Sequence, residues 1–479
     1  MTMEERQMTA LLIALTAFFL LYLMTTARRA GLLAASSLFS YTQMLMAAGT
    51  FAQLSEANRA DVAHAWVITT AMLSFFLVNS LFTFTQQHRT PLSSAPLATT
   101  YTFNRLTWTM LVLSVAVVGA YYAAVGSSAL LVGIQSSFSG VGVDIAGARL
   151  NAYAGSQYFA PGYVNQFRNS LLPALVVVLS TARLSHRPRR LWRLLPLMLF
   201  AVLGMLGTGQ RGALIVFTVT TLVYLYNVSG RRLTDTAYKV AAVSLGFVIL
   251  STFALGRSSA SVRLQDNPVG KVNVLAAELF DRVTYRQQLS SVAAFRYIYY
   301  LPIQNGGEWA EAARGILPGH RGSDLANRIF STMYGSTRGT SPPSIWGSIY
   351  HNFGWSGTVL WSAIIGMLLA ILSSAASTPR RCNTLECMGM SGTFVVMGSW
   401  VAGSPVYLLN AGLLVYIWLW WLGRRESTRS RARIPQAPIT TEAHPTCATD
   451  GDSAATGEIQ TPPDFDKPPC NPTTTSRPH

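Results

Sequence analysis

Apolar runs of roughly 17–22 residues recur along the whole chain, and nothing else in it constrains the fold as strongly. A run of that length, rising about 1.5 Å per residue, covers a hydrocarbon core about 30 Å thick. In that solvent every backbone N–H and C=O must be satisfied inside the chain, so each run reads as a helix. Eleven segments are expected to span: 8–26, 32–52, 65–84, 107–125, 167–184, 193–208, 212–227, 239–256, 356–376, 387–404 and 407–423. Of the 479 residues 50% are hydrophobic and only 12% charged, which excludes an ordinary soluble domain. The expected class is an all-α polytopic membrane protein. The opening MTMEERQ is net acidic and the run from Met8 to Thr26 has no small-residue cleavage site, so it reads as an anchor.

Charge orients the bundle. The net charge is +16, from 36 Lys and Arg against 20 Asp and Glu, and cytosolic loops of membrane proteins carry such an excess. Alternate connections are basic, with Arg28 and Arg29, then Arg89 and Arg105, then Arg183, Arg187, Arg189 and Arg190. Arg231, Arg232 and Lys239 continue the series, followed by Arg380 and Arg381, then Arg424 and Arg425. N-terminus out and C-terminus in satisfies every short loop. Three polar stretches then share the outer side: 126–166, the turn at Gln210 and Arg211, and 257–355. The expected organisation is spans over 1–256, a large extracytoplasmic loop 257–355, spans over 356–423, and a tail 424–479. That tail is rich in Pro, Thr and Ser and too poor in large apolar residues to bury a core, so disorder is expected. Cys382, Cys387, Cys447 and Cys470 all fall on the expected inner side, where no disulfide framework is implied. The spacing of Cys382 and Cys387 fits no strong zinc pattern.

The large loop holds 10 Lys and Arg and 6 Asp and Glu, a basic balance that no topology rule requires there. Two short helices are expected in it. One carries Leu275, Leu279 and Val283 on a stripe, with Glu278 and Arg282 paired. The other starts at Ser323 as N-cap and lines up Leu325, Ile329 and Met333. Candidate chemistry sits around these elements. Arg211, in GTGQRGAL, is either a turn residue reaching headgroups or a donor fork presented to phosphate. Arg149 and Arg168 lie among Tyr, Asn and Gln, which suits either a sugar- and phosphate-contacting surface or an interfacial belt. His320, Arg321, Arg328 and Arg338 cluster in 319–339. Arg321 precedes a helix start, where free N–H groups favour an anion, whereas Arg328 is also placed to pair with Asp324. His351, at the expected outer edge of the ninth span, is either a headgroup anchor or a proton acceptor.

No Walker, HExxH or GxSxG pattern occurs, and the loop after the first span has no DxD or paired acids. The outer carboxylates Asp61, Asp144, Asp266, Glu278, Asp281, Glu308, Glu311 and Asp324 lack metal-ligand spacing, so no metal or other cofactor is expected, and nothing points to nucleic acid.

The span layout, the TGQRGAL turn and a late outer loop closing on SPPSIWGSIYHNFGWSG together resemble the Wzy-type oligosaccharide repeat-unit polymerases, relatives of the O-antigen ligases. The resemblance implies a GT-C-like, metal-independent glycosyltransferase of the bacterial cytoplasmic membrane. Its substrate would be an oligosaccharide on undecaprenyl diphosphate, with membrane lipid, a flippase and a chain-length regulator as partners. Arg211 and the arginines of 319–339 would hold the diphosphate. His351 and Asn352 resemble the ligase His-Asn pair, although the glycine spacing after them departs from that pattern. Ligase-type transfer is therefore the alternative, and a lipid-linked sugar flippase a more distant one.

Overall fold

The computed structural model describes residues 5–86, 98–126, 128–139, 161–186, 188–209, 211–230, 234–254, 287–317, 322–336, 339–377 and 382–432, with 270, 273–274, 277, 281, 285 and 320. Helices α1 Glu5–Tyr22, α2 Ala35–Phe51, α3 Arg59–Gln86, α4 Arg105–Val125 and α5 Ala129–Ser139 come first. The short α6 Pro161–Asn165 passes through a wider π turn, Gln166–Leu171, into α7 Leu172–His186. Then follow α8 Leu195–Leu206, α9 Arg211–Val228 and α10 Asp235–Ala254. The large loop contributes α11 Gln287–Tyr299, α12 Gly307–Arg314 and α13 Leu325–Tyr334. The chain closes with α14 Ile345–Ser377, α15 Thr384–Gly398, α16 Val406–Asn410 and α17 Leu413–Ala432. Among the described residues the only β pairing is two isolated bridges.

Each expected apolar segment overlaps helix over most of its length, although 387–404 runs past the helix end at Gly398. Among the described residues, five helical runs are long and apolar enough to cross a membrane: Gln7–Ala30, Arg59–Thr85, Arg105–Val125, Gly162–Ser185 and Ile345–Ala375. Leu191–Leu206 and Gly212–Val228 are apolar but shorter. Their polarity is arranged for hydrocarbon. Ile13, Leu77, Leu81, Val112 and Leu360 face outward while Thr26, Ser36, Ser40 and Asn79 are buried. Tyr22 Oη donates to Asn79 Oδ1 (3.0 Å) and Asn79 Nδ2 to the Gly366 carbonyl (2.8 Å), tying α1, α3 and α14 together. Polar side chains turn inward because lipid offers them no partner.

Small residues let helices close on one another. Gly366 of α14 faces the Phe75 carbonyl on α3, and Gly389 and Gly392 of α15 face the Trp420 backbone and the Tyr416 ring on α17. Connections sort into two rims. At one, Asp61 meets Arg296, the Tyr163 hydroxyl donates to the Ile316 carbonyl, Leu130 N–H to that of Gly207, and Ile345 N–H to that of Val401. At the other, Thr99 meets Cys382 and Asn104 meets Glu426. Described parts of the three stretches expected on one side are joined by the Leu130–Gly207 and Tyr163–Ile316 bonds.

Several boundaries differ from expectation. Helix α5 lies inside the stretch 126–166, because its apolar run is too short to register as a span. Helical backbone already begins at Ile345, but Gly354 (φ 65°, ψ −158°) breaks it, so the helical run on to Ser377 resumes beside the expected boundary of 356. Helix α17 runs past 424 to Ala432. Asp324, not Ser323, directly precedes α13, and the Ser323 hydroxyl accepts the Leu325 N–H at 3.4 Å. The buried face of α13, Leu325 and Ile329 with Met333 against the core, is the expected one. The stripe of Leu275, Leu279 and Val283 and the chain from 433 onward lie outside the described residues.

A Cβ at Gly389 would overlap the Trp420 backbone, whereas one at Gly119 would meet nothing within 4 Å. Gly389→Leu is expected to lower stability by about 1–3 kcal/mol through overpacking. Gly119→Leu is expected to leave it unchanged. Thermal unfolding of the detergent-solubilised protein checks both.

Candidate functional site

Arg168 sits in the π turn, where Leu172 N–H bonds the Phe167 carbonyl five residues back. The widened turn carries a long cationic side chain into the bundle; such turns recur at functional sites. Arg168 is 0% exposed. Its Nη2 donates to Asn165 Oδ1 (2.6 Å), its Nε donates to Asn169 Oδ1 (3.0 Å), and its guanidinium carbon lies 5.5 Å from the Tyr121 ring centre. Val118 and Gly204 wall the side chain, and Tyr122 Oη donates to the Gly204 carbonyl at 2.6 Å. Among the described residues no carboxylate pairs with it, and its Nη1 lacks a hydrogen-bond partner. Two amide oxygens solvate this charge without neutralising it. An isolated buried ion carries a penalty of several kcal/mol, so the arrangement suits an anion brought by a ligand.

The Gly207–Arg211 turn adjoins this corner. The Gly207 carbonyl accepts Leu130 N–H (3.3 Å) and Ser128 Oγ (3.1 Å), and Gly209 (φ 72°) reverses the chain into α9. Arg211 is the first residue of α9; only its backbone is described.

His351 and Asn352 form a second group. In an unbroken helix their carbonyls would serve Trp355 and Ser356; the kink at Gly354 frees them. They accept instead Gln304 N–H (3.0 Å) and Gly306 N–H (3.1 Å) from the large loop. Asn352 Nδ2 donates to Glu308 Oε2 (3.1 Å) and to the Ser348 carbonyl (2.9 Å), while its Oδ1 accepts Trp309 N–H at 3.4 Å. Asn352, expected to contact substrate, is thus committed to holding the start of α12. His351 is 4% exposed and lies just ahead of the break at Gly354, and its Nδ1 has no partner among the described residues.

The other candidates divide. Arg328 pairs with Asp324 on an exposed face (Nε to Oδ1 2.8 Å), and its charge still acts on the His351 ring. His320 is exposed, its N–H bonded to the Leu317 carbonyl at 3.2 Å. Arg149, Arg321 and Arg338 lie outside the described residues. No hydrogen bond joins His351 to Arg168 among them. The two groups are linked through α12, α16 and α6, which pack in series, and through Gln166 Nε2 donating to the Leu409 carbonyl at 2.6 Å.

Sequence reasoning missed how the large loop is fastened. Arg296 of α11 grips the buried Asp61 at the start of α3 with two bonds, Nε to Oδ1 (2.7 Å) and Nη2 to Oδ2 (2.6 Å). The carboxylate raises the Arg296 guanidinium further above its ordinary value. Beside this pair the His64 ring lies flat on Phe295, 4.1 Å between centres. Asp61 had registered only as a loop acid, because its partner is 235 residues away. No family model, curated protein or solved structure matches the chain.

Asp61→Asn leaves the part-exposed Arg296 charge without its counter-ion and is expected to cost about 1–2 kcal/mol. Faster limited proteolysis of the large loop, with the spans intact, is the expected signature; an unchanged cleavage rate contradicts this docking role.

Proposed function

We propose that this chain polymerises lipid-diphosphate-linked oligosaccharide repeat units into a surface polysaccharide, at the rim that holds Arg168. The observation that carries the reading is a fully buried guanidinium with an unpartnered Nη1 among the described residues. A diphosphate leaving group needs fixed positive charge in a site shielded from water, where such charge acts most strongly. Arg168 supplies both, and Arg211 at the adjoining turn is assigned to the same anion. The acceptor hydroxyl attacks the anomeric carbon, its proton passes to a base, and the carbon–oxygen bond to the diphosphate breaks with the electron pair leaving on that oxygen. His351 is assigned as the base, its ring held by the bonds the loop makes to its own carbonyl and to Asn352. In this reading eleven spans form a GT-C-like bundle, N-terminus out and C-terminus in. The Arg168 rim then faces outward from a bacterial cytoplasmic membrane, and the donor is an undecaprenyl-diphosphate oligosaccharide.

Reconstitution with that donor tests the proposal on a ladder gel. Wild type is expected to build a ladder, unchanged by chelator. Arg168→Gln is expected to reduce it at least about a hundredfold, the scale of losing one preorganised donor to developing charge. A full ladder from well-folded Arg168→Gln removes the site. A single transfer to a different acceptor would assign ligase-type chemistry instead.

A further inference from the structure

At the rim opposite Arg168, the Sγ atoms of Cys382 and Cys387 lie 2.9 Å apart. The two thiols differ in access: Cys382 is half-buried, whereas Cys387 is 0% exposed in the first turn of α15. They bracket a small knot. The Cys382 carbonyl accepts the Thr99 N–H (2.9 Å), Thr384 N–H returns to the Thr99 carbonyl (2.9 Å), and Asn383 Nδ2 reaches the Gly423 carbonyl (2.8 Å). The residues ahead of α4, the start of α15 and the middle of α17 are thereby held together.

We propose that Cys382 and Cys387 are a reversible thiol–disulfide modification site that takes low-molecular-weight disulfides of the glutathione class. Cys382, the reachable thiol, attacks the disulfide as thiolate, forming a mixed disulfide and releasing one glutathione thiol. Cys387, already in contact, then attacks the Cys382 sulfur and expels the second glutathione. The protein pair loses two electrons and two protons; the small disulfide gains both and becomes two thiols. In a reducing compartment the dithiol is the resting form, and closure occurs as the local thiol pool becomes oxidised. Closing the pair fixes the knot across three elements. This assignment is independent of the glycan chemistry at the other rim.

The test uses the full chain in nanodiscs with Cys447→Ser and Cys470→Ser, so that only this pair can react, and oxidised glutathione as the probe. No Lys or Arg falls between Cys382 and Arg424, so both cysteines share one tryptic peptide. That peptide is expected to lose two hydrogens and resist alkylation, and to recover with reduced glutathione. With Cys387→Ser added, Cys382 is expected to retain one glutathione adduct; with Cys382→Ser, Cys387 is expected to acquire none. Two thiols that still alkylate fully after oxidised glutathione would overturn the proposal. An adduct that forms preferentially on Cys387 would do the same.

Discussion

Burying a guanidinium among apolar helices is unfavourable by several kcal/mol unless an opposite charge accompanies it. Arg168 meets that condition only in part. Two asparagine amides and an aromatic face receive the side chain, and a π turn directs it inward instead of toward lipid. The same turn lies near the start of the run Gly162–Ser185, which is apolar and long enough to span. One segment therefore combines a membrane helix with a cation at its end. A lipid-borne anion would complete the charge balance, and an acyl or prenyl chain attached to it would lie along surfaces that are already apolar.

The surrounding architecture keeps this corner connected to the large loop. Arg296 and Asp61 fasten α11 to α3, while the Gly354 kink offers two backbone carbonyls to the segment leading into α12. Trp309, on α12, packs edge-on against Phe353 and Trp361 (ring centres 5.1 Å apart in each case) and donates its indole N–H to Ser348. His351 is consequently covered by loop and helix together, so a change in the seating of α12 is transmitted directly to its ring. A loop docked in this way can shield a reacting centre while its termini stay anchored in the bundle.

Helix existence was legible because length and apolarity are the physical requirements themselves. The face of α13 followed from the spacing of Leu325, Ile329 and Met333. Other features leave no local trace. A π turn has no composition of its own, so Arg168 read as one polar residue in an aromatic stretch. At Gly354 the helix breaks, and Gln304 and Gly306 take up the carbonyls that the break frees. Asn352 looked available to a sugar until Glu308, Ser348 and Trp309 occupied its amide. Each of these outcomes depends on a partner distant in sequence or on backbone geometry, and neither is written in residue type.

Retention of a lipid diphosphate probes the buried charge itself. Native mass spectrometry of the nanodisc-embedded chain with added undecaprenyl diphosphate compares wild type, Arg168→Lys and Arg168→Gln at matched folding. The account predicts a bound lipid diphosphate on wild type, weaker retention with lysine and none with glutamine. Equal retention by all three would contradict it.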